Sequence, residues 1–248
     1  MGADQNFAWE ATVASALEWW RDAGIDTLAD ETPRDWFAAP APPPQAKRPA
    51  TQSPAAAPEP VAAPLPATLD AFLAWRAGPD APEAGWNGPR FAPQGDPASD
   101  LMILVDMPDR EDERLLDGAT GRLFDRMLAA IGHSRESVYI APVCTARPLA
   151  GRIAPESEDR LAGIARHHVA LAAPKRVLLM GNAPSRALLA ADVVRARGSL
   201  RLVNLDLGNT TVAVEAVASF HPRLLLERPA QKAEAWKDLQ MVVGGSGS

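Results

Sequence analysis

From residue 99 onward, short runs of consecutive apolar residues alternate with stretches in which apolar residues recur every three or four positions. Leu101–Asp106 reads LMILVD, an apolar run ending in a carboxylate, and predicts a strand buried on both faces. Gly121–Ile131 carries Leu123, Phe124, Met127, Leu128 and Ile131 on one helical face and stops at Gly132. Val138–Val143 predicts a second strand. Glu156–Leu171 predicts a helix with Leu161, Ile164, His168 and Leu171 turned inward. A third strand, Arg176–Gly181, leads into a helix from Ala183 to about Ala191. Leu200–Leu205 and Thr211–Val217 are further strands, and Pro229–Val242 closes the pattern as a helix. Such alternation predicts an α/β fold, three layers deep, with a mostly parallel central sheet between helices. Ligands of such sheets bind beyond the carboxyl ends of the strands. That rule gathers Asp106–Asp109, Pro142–Arg152, Gly181–Asn182 and Phe220–Leu225 on one rim.

The first hundred residues follow other patterns. In residues 5–37, Trp9, Val13, Ala16, Leu17 and Trp20 recur at helical spacing, and Gly24 follows as a helix stop. Trp36 and Phe37 add two more apolar points. Four of the seven tryptophans lie before residue 37, and aromatic anchors one turn apart are what helix-in-groove recognition uses. Residues 1–37 are therefore expected to be a partner-binding segment, with Trp9, Val13, Leu17, Trp20, Trp36 and Phe37 as its contacts; packing on the chain's own domain is the alternative. Residues 38–67 contain 10 prolines and 11 alanines, a composition that favours extended, solvated backbone. Extended at about 3.1 Å per residue, such a linker reaches roughly 90 Å. Residues 68–98 are transitional, a short helix around Leu69, Phe72, Leu73 and Trp75 followed by a Gly/Pro/Asp-rich loop. The folded domain spans residues 99–243, and residues 244–248, Gly-Gly-Ser-Gly-Ser, read as a tag-like tail.

Composition narrows the function classes. The 248 residues contain one cysteine, Cys144, which excludes a disulfide framework and any all-cysteine metal or iron–sulfur site within the chain. Four histidines leave little material for a zinc centre. No apolar run is long enough to span a bilayer, and a reducing cytoplasm is the expected compartment. The net charge of −6 is uneven. Residues 1–98 hold 13 acidic and 6 basic side chains, whereas residues 99–248 hold 18 and 19. A nearly neutral domain disfavours tight DNA binding by charge alone. Arg147, Arg152 and Arg223 are the rim cations available for phosphate, so any DNA contact is expected to be weak.

Five stretches carry a family resemblance. They are Gly121–Gly132, Val138-Tyr-Ile140, Arg147-Pro148, His168–Pro174 ahead of the Leu178-Leu-Met-Gly181 strand, and Phe220–Pro229 leading into Lys232–Leu239. In this order and spacing they resemble the uracil-DNA glycosylase superfamily, most closely its iron–sulfur bacterial branch. The resemblance implies the superfamily's fold and a pocket for a flipped uracil. A polar or acidic group at the first strand end would position water, an aromatic ring would stack on the base, and an asparagine would read its edge. A histidine near the last strand would stabilise charge on the departing base.

The sequence departs from that pattern at most of these points. The first motif, Gly-Glu-Ala-Pro-Gly in the family, stands here as Val105-Asp-Met-Pro-Asp109. The segment for the stacking ring, Arg114–Gly121, contains no aromatic residue, and the base-reading position falls near Ala141-Pro142. The four cluster-binding cysteines are missing, so no cofactor is expected. Asp106 and His221-Pro222 remain, and they are the catalytic pair if the chain is active. The resemblance thus implies a degenerate glycosylase that has exchanged catalysis for protein binding in DNA replication or repair. Its helix and tether loosely resemble those of the psi accessory subunit of the bacterial clamp loader, which implies the clamp loader and a chi subunit as partners. An active uracil-DNA glycosylase is the alternative, and a single-strand or DNA-end binding module is a third reading.

Overall fold

The computed structural model describes residues 13–15, 18–19, 64–86, 88–208 and 210–244. The chain divides into two compact units, Met1–Val61 and Ala62–Ser248. In the first, residues 13–15 and 18–19 are helical, and Val13 and Trp19 are exposed. Trp9, Leu17, Trp20, Trp36 and Phe37 lie outside the described residues, as do residues 38–63 of the expected linker and the 245–248 tail.

The second unit is built on one six-stranded sheet. Its strands are β1 (Gln94–Gly95), β2 (Leu101–Val105), β3 (Tyr139–Pro142), β4 (Arg176–Met180), β5 (Leu200–Leu207) and β6 (Thr210–Ser219), in the order β1-β3-β2-β4-β6-β5. The four central strands are mutually parallel, and the two edge strands run antiparallel to their neighbours. The helices are α1 (Leu69–Ala77), α2 (Gly118–Ala130), α3 (Pro155–Ala172), α4 (Asn182–Leu189), α5 (Val193–Ala196), α6 (Pro222–Glu227) and α7 (Lys232–Gly244). No helix among the described residues is long and apolar enough to cross a membrane.

The apolar runs become the central strands because both of their faces are covered. All five residues of β2 are buried, and so are Val177–Met180 of β4 and all of β3. Phe124, Met127 and Leu128 fill the core from α2; Leu161, Ile164, His168 and Val169 do so from α3. Proline at the first position of α3, with Glu156 and Glu158 in its first turn, suits the positive end of the helix dipole. His168 is a packing residue. The Tyr139 hydroxyl and its Nε2 share a hydrogen bond of 2.8 Å, and burial pushes the imidazole down to about 3.

Three features depart from the sequence expectation. β5 and β6 form a hairpin turning at Gly208, so the sheet is mixed at that edge. The loop read for residues 78–97 contributes β1. Its Gly95 has φ +86°, and a Cβ there would meet the Val138 carbonyl oxygen at 1.9 Å. Residues 64–98 also pack into the same unit as the domain. Phe72 lies against His167 and His168, and His167 Nε2 donates to the Pro66 carbonyl at 2.7 Å.

A buried ion pair ties α1 and the following loop to the end of β3. Arg76 Nη1 donates to Glu83 Oε2 at 2.8 Å, with both side chains almost wholly buried. Arg76 Nη2 donates to the Val143 carbonyl at 2.9 Å, and Glu83 Oε1 accepts the Thr145 backbone N–H at 3.1 Å. Burial lowers the Arg76 pKa, and the Glu83 charge opposes that shift. A pair this deep offsets its desolvation only because its remaining donors and acceptors find partners.

Candidate functional site

Because β2, β3, β4 and β6 are parallel, the residues that follow them meet at one end of the sheet. Asp106 follows β2, Ala141-Pro142 ends β3, Gly181 follows β4, and Phe220-His221 follows β6.

Asp106 faces the start of α4. Its Oδ1 accepts the Ala183 backbone N–H at 3.1 Å, which satisfies one of the free amides of that helix. Gly181 makes the approach feasible. Its φ is +111°, and a Cβ there would lie 2.6 Å from Asp106 Oδ1. Desolvation pushes the Asp106 carboxyl up to about 6, against the lowering effects of the Ala183 N–H and the Arg223 and Arg186 charges. Asp106 thus sits near half-ionisation in mildly acidic solution.

His221 caps α6, and its Nδ1 accepts the Arg223 backbone N–H at 3.2 Å. In a neutral imidazole one nitrogen accepts and the other donates, so the proton resides on Nε2. Burial, with the Arg223 charge adding to it, holds the ring at about 3, so it is neutral at pH 7. Among the described residues, Nε2 is buried without a hydrogen-bond partner. An unpaired buried donor costs roughly 1–3 kcal/mol, and chemically it is a donor available to a developing anion.

Two of the three expected phosphate contacts, Arg147 and Arg223, are otherwise engaged. Arg223 holds Asp109 with two bonds, Nη2 to Oδ1 at 2.5 Å and Nε to Oδ2 at 3.3 Å. Arg147 Nη1 lies 3.7 Å from the same Oδ1 and donates to the Pro108 carbonyl at 3.4 Å. Arg152 is exposed in the loop before α3. The sequence singled out Arg147 and Arg223 but paired neither with Asp109. Residues so far apart in the chain give no local signal of contact.

The segment that would carry a stacking ring is committed elsewhere. Leu115 and Leu116 are buried in the core. Their carbonyls accept from Arg135 Nη1 and Nη2 at 2.8 and 2.6 Å, while Arg135 Nε binds Asp125. Ala141 and Pro142 are buried, and neither side chain has a hydrogen-bonding atom. Two cavities flank Asp109. One, of 320 Å³, is lined by Phe91, Pro108, Asp109, Arg147 and Leu149 among others. The second, of 550 Å³, is lined by Asp109, Glu113, Asp117, Thr120, Arg147 and Arg223 among others. Neither cavity is lined by Asp106 or His221.

The residues near β3 do not fit a four-thiolate cluster. The chain's single cysteine, Cys144, is buried, and burial, with the nearby Glu83 charge, pushes its thiol far up. The Arg76–Glu83 pair binds the backbone on either side of it, at Val143 and Thr145. Among the described residues, no group of three or more His, Cys, Asp or Glu is placed to hold a metal ion.

Comparison with known proteins agrees with this architecture. Residues 92–240 match the family model of the uracil DNA glycosylase superfamily. A type-4 uracil-DNA glycosylase of Pyrobaculum aerophilum is 30% identical over 159 residues, which cover 61% of this chain and 81% of that protein. A type-4 uracil-DNA glycosylase of Archaeoglobus fulgidus is 23% identical over 158 residues, covering 60% of this chain and 77% of that protein. With four parallel strands ending on one rim, and a family match over more than half its length, the chain belongs to the uracil-DNA glycosylase superfamily.

Proposed function

We propose that this protein is a non-excising member of its superfamily, an accessory factor in DNA replication or repair that binds another protein. What carries the reading is the chemistry of the rim: Ala141-Pro142 at the end of β3 presents no group to pair with a base edge. The missing stacking ring adds to this, since Leu115 and Leu116 are spent on the core. A bidentate base contact and a stacked ring are each worth about 1–3 kcal/mol, and a flipped base loses both here. The N-terminal tryptophans and the Pro/Ala tether supply the partner-binding element, with a clamp loader and its chi subunit as partners. Recovery of partners from cells should be lost when residues 1–37 are deleted, and unchanged recovery would exclude this role. Base release from a uracil-containing oligonucleotide should be absent.

The unpaired Nε2–H of His221 favours a second reading, an active uracil-DNA glycosylase. In that case His221 would donate to the base as negative charge develops on it, and Asp106 would position the attacking water. Both relatives compared above bear the name uracil-DNA glycosylase. Uracil release abolished by His221→Ala would establish this alternative.

A further inference from the structure

We propose that the open edge of β5 is a self-association surface, on which β5 of a second copy of this chain docks antiparallel and joins the two sheets into one. The inference is separate from partner binding by the N-terminal segment and stands whether or not uracil is released.

β5 pairs only with β6, so among the described residues its outer row of backbone N–H and C=O groups meets no other strand. Such an edge templates further pairing unless it is short, bulged, or guarded by Pro or Lys. β5 is none of these. Its eight residues give roughly 27 Å of edge at about 3.4 Å each. Its register with β6 runs unbroken from Leu200 to Leu207, so it contains no bulge. Its sequence, LRLVNLDL, holds neither Pro nor Lys. The strand's one cation, Arg201, is folded back on its own chain: Nε donates to Ser199 Oγ and Nη2 to the Arg195 carbonyl, each at 3.3 Å. Alternate residues share a face. On one face Leu200 and Leu202 are 39% and 66% exposed, whereas Leu205 on the other is buried.

Charge and symmetry identify the occupant. Arg195 and Arg201 lie at the start of the strand and Asp206 near its end, and none of the three is in an ion pair among the described residues. The cavity beside Asn204–Asp206 carries Asp80, Asp159 and Asp206 against Arg160 and Arg166, so that end is the more acidic. Antiparallel pairing of two copies sets the basic end of each β5 alongside the acidic end of the other, whereas parallel pairing sets like ends together. Arg201 and Asp206 point to opposite faces, so the attraction acts between strand ends and not through a direct bridge. A two-fold axis through Leu202 sets that residue against its own copy and brings Leu200 onto the diagonal, so the four exposed leucines form one patch. The far edge of the sheet offers no substitute. β1 has two residues, too few for a head-to-tail ladder that would propagate into fibres, and the association closes as a dimer.

The test uses the full chain. Sedimentation equilibrium between about 1 and 200 µM should show the mass rising from one chain toward two, with a micromolar Kd. Hydrogen exchange in residues 200–207 should slow as concentration rises, because the dimer covers the outer amides. Leu202→Lys, at an exposed site, should fold normally and weaken the dimer at least about tenfold, since each substitution counts twice across a two-fold axis. Leu202→Gln should weaken it without adding charge. Asp206→Arg, which makes both strand ends basic, should weaken it most at low salt. A one-chain mass at every concentration would overturn the proposal. So would a dimer that Leu202→Lys or Asp206→Arg leaves at native strength, or one that forms without slowed exchange in β5.

Discussion

His221 Nδ1 accepts the backbone N–H of Arg223 at 3.2 Å, and that bond assigns the proton of the neutral ring to Nε2, a buried atom without a partner among the described residues. The same bond caps α6, so one side chain serves fold and rim together. A superfamily member that no longer excises bases would keep this histidine for its capping role alone.

Three buried groups give stability a defined pH dependence. His221 and His168 are held at about 3, below the ordinary 6.5, so the unfolded chain takes up their protons first and stability is lost as pH falls below about 6.5. Asp106 works the other way. Its pKa of about 6 exceeds the ordinary 3.8, so its contribution is present below 3.8 and lost as pH rises through 6. Near pH 5 these three groups give a net excess of about one proton bound by the unfolded state, or ~1.4 kcal/mol per pH unit. Urea denaturation between pH 4.5 and 7.5 should show stability rising to about pH 6.5, with a shallower rise in His168→Gln. An unchanged slope in that variant would refute the assignment for His168.

The Arg76–Glu83 pair should behave as a buried staple. Glu83→Ala leaves a buried guanidinium uncompensated and is expected to cost about 3–5 kcal/mol in unfolding free energy. Replacing both partners by apolar residues, as in Arg76→Met with Glu83→Leu, should recover most of that loss. Equal destabilisation by the single and double substitutions would show that the pair's polar contacts to Val143 and Thr145 matter more than its charges.

Gly181→Ala tests how tightly Asp106 is held. The substitution meets a φ of +111° and an Asp106 oxygen 2.6 Å from the new Cβ. Strained backbone of this kind costs about 1–3 kcal/mol before any clash. Combining it with Asp106→Gly should relieve the clash and leave the backbone strain, so the double variant should melt above Gly181→Ala. The reverse order would remove Asp106 from the account of that turn.

The sequence made the central sheet legible because β2, β3 and β4 are apolar runs that only a doubly covered strand explains, and Leu123–Ile131 has unmistakable helical spacing. The short elements were not. β1 has two residues and α5 four, too few for any period to register. The antiparallel placement of β5 rests on Gly208 and the hairpin it allows, which pattern alone did not distinguish from another crossover. At the rim, Asp106 and His221 were readable through the family motifs around them. Asp109 with Arg223, and Arg76 with Glu83, were not, since an ion pair depends on where the chain returns in space. The expected partner contacts Trp9, Leu17, Trp20, Trp36 and Phe37 lie outside the described residues.

The most direct measurement is base release. The full chain is incubated with a single-stranded oligonucleotide containing one uracil, and abasic sites are cleaved with alkali and resolved by size. No product above the protein-free background is expected over several hours. Product formed by the native chain and abolished by His221→Ala would contradict the proposal that the protein does not excise bases.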